Sequence, residues 1–375
     1  MYQSIKILGS LTLALGLFSC SHTRNISSEK NLPSLKQTFK SDFLIGTALD
    51  SVQNLPTNEK EAQLIPYQFD AMTPENAMKA ENIHPEWGRY YFDQADKIVD
   101  YAQQHGIKLN GHTLIWHSQL PAFVHQIQSA DSLRMFFTEH IRTLASRYNG
   151  KIDSWDVVNE ALNEDGTLRK SIFLDKLGDD FIVEAFRLAQ QYAPDTKLYY
   201  NDYNIEQPQK RAGAIRIIKQ IQAAGVRIDG VGIQGHWNIR SLPFDAIEKS
   251  IQEFSALGME VMFTELDLGV LPNPWDSDGA EISHTAGYSE KMDPYKNGLP
   301  DSVAQLQAQQ YEKLFNLFLK YKDDISRVTF WGVNDGQSWL NGWPIPDRTN
   351  YPLLFDRQFN PKPAFYKVIE TGKSK

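Results

Sequence analysis

Glu160 closes the apolar run of SWDVVNEAL (Ser154–Leu162), and Glu265 closes that of VMFTELDL (Val261–Leu268). Asn159 stands directly before the first glutamate, and Asp267 stands two residues after the second. A strand that merely ran out into water would tolerate Lys, Ser or Gly at its end. A carboxylate kept there is either solvated at a loop or half of a site whose other half lies elsewhere. Two carboxyl groups facing one groove can cleave a glycosidic bond, one as a protonated acid and the other as an ionised base or nucleophile. A metal site or a buried ion pair would use the same residue types.

The neighbouring residues weigh on that choice. His112 and His117 in HTLIWH lie five positions apart. On a strand they project to opposite faces, so without a bulge they cannot share an ion, and no metal is expected. Gln234 and His236 share one face of their strand, as do Glu265 and Asp267, while Thr264 and Leu266 turn away. A His236 lying between Asp267 and Glu265 would supply the hydrogen bonds that keep Glu265 ionised, the state a nucleophile needs. Asn159 and Glu160 are adjacent and should point apart. Both face one groove only if the strand end twists or bulges.

The elements that must position these groups alternate. Strand-like runs begin at Phe43 (FLIGTALD), Tyr67 (YQFDAMT), Lys108 (KLNGHTLIW), Ile152 (IDSWDVVNE), Lys197 (KLYYNDYN), Gly230 (GVGIQGHW), Val261 (VMFTELDL) and Val328 (VTFWGVND). Amphipathic helical patterns begin at Phe92, Asp131, Pro208, Asp245 and Ser302. The first of these carries Ile98, Val99 and Ala102 on one face and stops at Gly106. The second starts on an acidic cap and stops at Asn149-Gly150. Eight strand runs with helical patterns between most of them imply an α/β fold of parallel strands joined by helices, a single (β/α)8 TIM barrel. No Gly-rich phosphate loop follows the first strand, which disfavours an open nucleotide-binding sheet. Strand carboxyl ends carry the chemistry in such barrels. Here those ends hold Glu75-Asn76, His112, Trp116-His117, Asn159-Glu160, Asn201-Asp202-Tyr203, Gln234, His236, Glu265, Asp267, Trp331 and Asp335.

The chain has 375 residues, 41% of them hydrophobic, enough for a large core. Its net charge of -8 argues against a nucleic-acid partner and suits a neutral ligand. Aromatic residues make up 12%, in keeping with flat apolar ligands such as sugar rings, although most of them belong to the core. At the amino terminus Lys6 precedes ILGSLTLALGLF (Ile7–Phe18) and Ser19-Cys20. That run is too short to span a bilayer and reads as a signal peptide over residues 1–19. Cys20, the only cysteine, stands where a bacterial lipoprotein is lipidated. The expectation is an exported cell-envelope lipoprotein, alternatively a secreted protein, touching membrane only through that anchor. Residues 20–36 read as a flexible tether and 37–372 as one catalytic domain, acting as a monomer.

In combination, GHTLIWHSQLP (from Gly111), WDVVNEA (Trp155), NDYN (Asn201), GIQGHW (Gly232), FTELD (Phe263), WGVNDGQSWL (Trp331) and YPLLFD (Tyr351) resemble glycoside hydrolase family 10. The likeness runs from about Phe43 to Phe365, in the family's order. Typical members are endo-β-1,4-xylanases, so the resemblance implies endo-acting hydrolysis of xylan and xylo-oligosaccharides by a retaining mechanism, without a cofactor. It implies Glu160 as acid/base and Glu265 as nucleophile. Asn159 matches the amide that bonds the sugar's 2-hydroxyl, and Glu75, Asn76 and Lys79 match distal glycone contacts. His112, Trp116, Gln234, His236, Trp331 and Trp339 match residues lining the cleaved-sugar site, Tyr203 lies on the leaving-group side, and Asp267 supports. The rival readings are a retaining glycosidase acting on β-glucan or short xylo-oligosaccharides, and a non-catalytic glycan-binding lipoprotein. The presence of both Glu160 and Glu265 speaks against the latter. One departure is a long insert, Val270–Pro300, rich in Pro and Gly with Trp275, Tyr288 and Tyr295. It either extends the substrate groove or covers the barrel rim.

Overall fold

The computed structural model describes residues 32–49, 58–275 and 280–373. Eight parallel strands close on themselves: β1 (Leu44–Leu49), β2 (Ala71–Pro74), β3 (Lys108–Gly111), β4 (Ser154–Asn159), β5 (Lys197–Asp202), β6 (Gly230–Ile233), β7 (Glu260–Gly269) and β8 (Ile325–Phe330). Closure comes from β8, which pairs with β7 on one side and β1 on the other. Two short strands extend the wall outwards, Ile115–Trp116 against β4 and His236–Asn238 against β7. Every residue of β4 is buried, as is every residue of β7 after Glu260, because one strand face meets the barrel interior and the other the helices.

A helix follows each strand: α1 (Glu59–Gln68), α2 (Asp93–His105), α3 (Ala130–Tyr148), α4 (Phe181–Tyr192), α5 (Pro208–Ala223), α6 (Phe244–Ser255), α7 (Asp301–Lys320) and α8 (Pro363–Lys373). The stripe expected on α2 is present, with Ile98, Val99 and Ala102 buried, and Gly106 ends the helix at φ 64°, a left-handed angle that glycine adopts without strain.

Several boundaries differ from the sequence expectation. Tyr67 and Gln68 belong to α1, not to a strand; Phe69 N–H still donates to Ile65 O at 3.0 Å, and β2 starts only at Ala71. The acidic cap expected for α3 is instead Ser129, whose hydroxyl accepts from Ser132 N–H; Asp131 sits within the first turn. β8 runs three residues earlier than expected and stops at Phe330, with Gly332 at φ 133° soon after. The folded unit begins at Ser34, where a one-turn helix (Leu35–Thr38) buries Leu35, so residues 34–36 are not tether. The signal-peptide segment and Cys20 lie outside the described residues. Among the described residues no helix is long and apolar enough to cross a membrane.

Both strands that carry the key glutamates hold a bulge. In β4, Asp156 pairs with Tyr199 but Val158 already pairs with Tyr200, leaving Val157 as an extra residue. In β7, Phe263 pairs with Val328 and Leu266 with Phe330, so one residue of the Thr264-Glu265 step is extra. A bulge turns consecutive side chains towards the same side of the sheet.

Beside the barrel, His84 and His140 form a buried pair, Nδ1 to Nδ1 at 3.2 Å, within a cluster of Tyr90, Phe123 and Phe136. Burial holds both rings neutral: His84 is pushed down to about 4 and His140 to about 3. The unfolded chain takes up protons below pH ~6.5 that the folded chain refuses. Stability from this pair is therefore complete above that pH and is lost as pH falls, by about 1.4 kcal/mol per pH unit for the fully buried His140. His140→Phe should flatten the decline of Tm between pH 6 and 4 in calorimetry. An unchanged slope would show that the pair is not the acid-labile element.

Candidate active site

At the carboxyl ends of the strands a cleft of about 170 Å³ is lined by Glu75, Asn76, Lys79, His112, Trp116, Glu160, Gln234, His236, Glu265, Trp331 and Trp339. Eleven of the residues singled out from the sequence thus converge on one space. A larger recess of about 600 Å³ opens at the other mouth of the barrel. Lys108 pairs there with Asp153 at 2.7 Å and Lys197 with Glu260, and it contains none of the candidate groups.

Glu160 reaches this space through backbone geometry. The β4 bulge precedes it, and its own φ of 55° is left-handed, so it leaves the strand on the same side as Asn159. Its N–H donates to Asn201 O at 2.9 Å, which holds that conformation. The two carboxyl oxygens accept separately, Oε2 from Trp116 Nε1 and Oε1 from Gln234 Nε2, each at 2.8 Å. Burial, reinforced by the negative charges of Asp202 and Glu265, pushes its pKa up to about 7 against those two donors. A carboxylic acid is therefore present at neutral pH. With both flanking donors occupying acceptor sites, its proton has the cleft to point into.

Glu265 is held in the opposite state. Burial alone would raise it, but hydrogen bonds and positive charge overcome this and leave it below the usual glutamate value. Asn201 Nδ2 donates to Oε1 at 2.9 Å, and His236 Nε2 lies 3.2 Å from Oε2. The other nitrogen of His236 lies 3.0 Å from Asp267 Oδ2, which also accepts from Trp339 Nε1 at 2.8 Å. Despite burial, the two carboxylates raise His236 to about 10, so an imidazolium sits between them. Glu265 N–H is tied to Gln234 O at 2.8 Å, which couples the settings of the two glutamates through one residue. Thr264 does not turn away as expected. The β7 bulge brings its hydroxyl to Asn201 Oδ1 at 2.6 Å, where it orients the amide that serves Glu265.

The remaining candidates fall around this pair. Asn159 Oδ1 accepts from Asn201, while its buried Nδ2 has no hydrogen-bond partner among the described residues and is available to a ligand hydroxyl. Lys79, its pKa lowered by burial against four nearby glutamates, bonds Asn76 Oδ1 at 3.0 Å and lies 5.0 Å from the Trp116 ring. His112 faces the cleft and bonds Asp156 at 2.9 Å. Its sequence neighbour His117 lies apart beside Arg169 and Phe173, and burial lowers it to about 4. Tyr203 is not among the residues lining this cleft; its hydroxyl accepts from Arg169 Nη2 at 2.7 Å. Trp331 meets the His112 ring edge-on at 5.5 Å, and Trp339 lies against His236 at 4.8 Å.

Sequence reasoning missed Asn201 and Asp202 as functional groups, although both stood among the crowded strand ends. Asn201 bridges Asn159 and Glu265, and Asp202, itself paired to buried Lys210 at 3.0 Å, raises Glu160. It also missed Arg169 and Glu281, whose pairing across 112 residues left no pattern to find.

The sequence profile of Glycosyl hydrolase family 10 matches residues 34–371. The chain is 43% identical to Endo-1,4-beta-xylanase A of Xylanibacter ruminicola over 348 residues, 91% of this chain and 94% of that one. It is 38% identical to a Beta-1,4-xylanase of Dictyoglomus thermophilum, covering 96% and 97% of the two chains. Its structure is similar to that of a GH10 endoxylanase retrieved from a sugarcane soil metagenome, with TM-score 0.86 and 41% identity over 90% of this chain and 99% of that one. With its two oppositely set carboxyls in a barrel-mouth cleft, this chain belongs to glycosyl hydrolase family 10.

Proposed function

We propose that the protein hydrolyses internal β-1,4-xylosidic linkages of xylan by a retaining double displacement. The observation that carries this reading is two buried carboxyls in one cleft with opposite partners: Glu160 between the neutral donors of Trp116 and Gln234 and pushed up to about 7, and Glu265 against Asn201 and His236 and held below the usual glutamate value. Glu265 attacks the anomeric carbon while Glu160 gives its proton to the departing glycosidic oxygen, leaving a sugar esterified to Glu265. Water then attacks the same carbon, Glu160 takes its proton, and Glu265 departs, so the configuration is kept. The buried Asn159 Nδ2 donates to the 2-hydroxyl of the reacting sugar, a bond that tightens as charge builds on the ring. Glu75, Asn76 and Lys79 hold the neighbouring sugar on the glycone side, and Trp331 and Trp339 supply apolar faces for the reacting ring. A relative of known structure, xylanase 10B of Thermotoga petrophila, is described in complex with xylobiose, in keeping with this substrate class.

Product analysis on xylan, β-glucan and cellulose side by side is the direct test. Short xylo-oligosaccharides from xylan are expected, and a preference for β-glucan would overturn the substrate assignment. Glu265→Ala should lower kcat on xylan by roughly 10⁴-fold or more. Azide should partly restore turnover of an activated aryl xyloside, with inverted product. Wild-type turnover in that variant would remove Glu265 from the mechanism.

Because Glu160 must begin protonated, kcat/KM should fall as pH rises through about 7. Gln234→Leu deletes a donor that favours the ionised form, so it should move that alkaline limb upward. A limb unmoved by this change would separate the pH profile from Glu160. Glu160→Ala should cost roughly 10²–10⁴-fold on xylan and far less on aryl glycosides with good leaving groups.

We also infer export with lipid attached at Cys20, from the apolar run and lone cysteine of residues 7–20. Cys20→Ser should shift the protein from the membrane fraction to the soluble one on cell fractionation. Equal partition of the two forms would count against an anchor.

A further inference from the structure

We propose that Arg169 and Glu281 form a clamp on the leaving-group side of the cleft. In it Arg169 is a positioning residue for Glu160, and Glu281 ties residues 280–286, within the Val270–Pro300 insert, down as a wall against which leaving-group sugars rest. The inference rests on the proposed xylanase reading and names what that reading leaves open, the part played by the insert.

Arg169 lies on the return of the loop that follows Glu160. The loop is narrow: Arg169 N–H donates to Ala161 O at 2.7 Å, and Leu162 bridges to Leu168. From there the guanidinium turns back and spends its donors on four groups. Nε bonds Glu160 O at 3.2 Å, Nη2 bonds both Leu162 O at 3.1 Å and the Tyr203 hydroxyl at 2.7 Å, and Nη1 pairs with Glu281. The carbonyl of Glu160 belongs to the residue held at a left-handed φ, so Arg169 restrains the peptide that aims the acid. Only a planar fork of five donors reaches such a set at once; an ammonium cannot. Both side chains of the Arg169–Glu281 pair are largely shielded, at 14% and 19% exposure, so salt screens the pair little.

Glu281 is fixed from its own side as well. Its Oε1 accepts from Ser283 N–H at 3.2 Å and from the Ser283 hydroxyl at 2.9 Å, while Oε2 faces Arg169. The residues on either side of it, Ala280 and Ile282, line the same cleft as Glu160 and Glu265. Further along the insert Ala286 N–H donates to Pro344 O at 2.9 Å. The ion pair thus joins the acid's own loop to the insert, and the wall it sets in place is a methyl group and a branched alkyl chain. Such a surface packs on the apolar face of a sugar ring and offers it no hydrogen bonds.

The test compares xylohexaose, which fills the leaving-group side, with 4-nitrophenyl xylobioside, which does not. In Glu281→Gln the ratio of kcat/KM for the hexaose to that for the aryl glycoside should fall about tenfold, mainly through KM. Ile282→Gly should reproduce that fall without touching the ion pair. Arg169→Lys keeps the charge but loses the fork, and should displace the alkaline limb of the pH profile on both substrates. Hydrogen exchange at residues 280–286 should quicken in Glu281→Gln. Equal losses on the two substrates, an unmoved limb in Arg169→Lys and unchanged exchange would overturn the clamp. A wild-type protein that leaves xylan intact would count against the proposed function instead, and the exchange measurement would still decide whether Glu281 holds the insert.

Discussion

Two carboxyl groups buried in one cleft cannot both stay charged, and nothing in their own chemistry says which will yield. The surroundings decide. Glu160 has a second negative charge near it, Asp202, and its side-chain donors among the described residues are the neutral N–H groups of Trp116 and Gln234. Glu265 has an imidazolium in front of it, itself held charged by Asp267, and an amide beside it. Both glutamates lose hydration, so the outcome depends on the sign of the partner rather than on depth. The barrel distributes those partners over the ends of β3, β5, β6 and β7, and none of them is useful unless the ring of strands is closed and in register.

Register is also where the structure departs from an ideal barrel. A regular strand alternates its side chains, which would give the groove either Asn159 or Glu160, and either Thr264 or Glu265. The extra residue in each of β4 and β7 removes that choice. Asn201, on the intervening β5, then bonds to both: it donates to Asn159 and Glu265 and accepts from Thr264. One amide thereby ties Asn159 to Glu265, with its orientation set by a hydroxyl that a regular strand would have sent into the helix layer.

How far the sequence was readable follows from this. Composition and alternation are local, so the eight strands, most of the helices and the crowding at strand ends were visible, and the position of Gly106 announced the end of α2. Parity arguments worked where the strand was regular beyond the bulge: His236 lies between Asp267 and Glu265 as their spacing implied. They failed for Thr264 because a bulge is a relation between two strands and leaves no mark in one. The need for some irregularity at Asn159-Glu160 was legible, but not that it would be shared between an extra Val157 and a left-handed Glu160. Long-range pairings such as Arg169 with Glu281 have no local signature, since neither residue type is unusual in a loop.

A site built this way makes the fold depend on the completeness of its buried polar set. Asp156, Asp202 and Asp335 are buried with raised pKa values, and Lys79 and Lys362 with lowered ones, each mainly through loss of hydration. A buried pair such as Asp202–Lys210 or Asp335–Lys362 roughly breaks even against an apolar pair of the same volume, but stranding one partner costs about 3–5 kcal/mol. The polar rim is therefore stable only as a completed set. That has a consequence for function: the groups that tune Glu160 and Glu265 cannot relax away from them when a sugar arrives, because relaxing would leave a charge unpaired. The cleft is already polarised before the substrate enters, and little reorganisation is left for the reaction itself to drive.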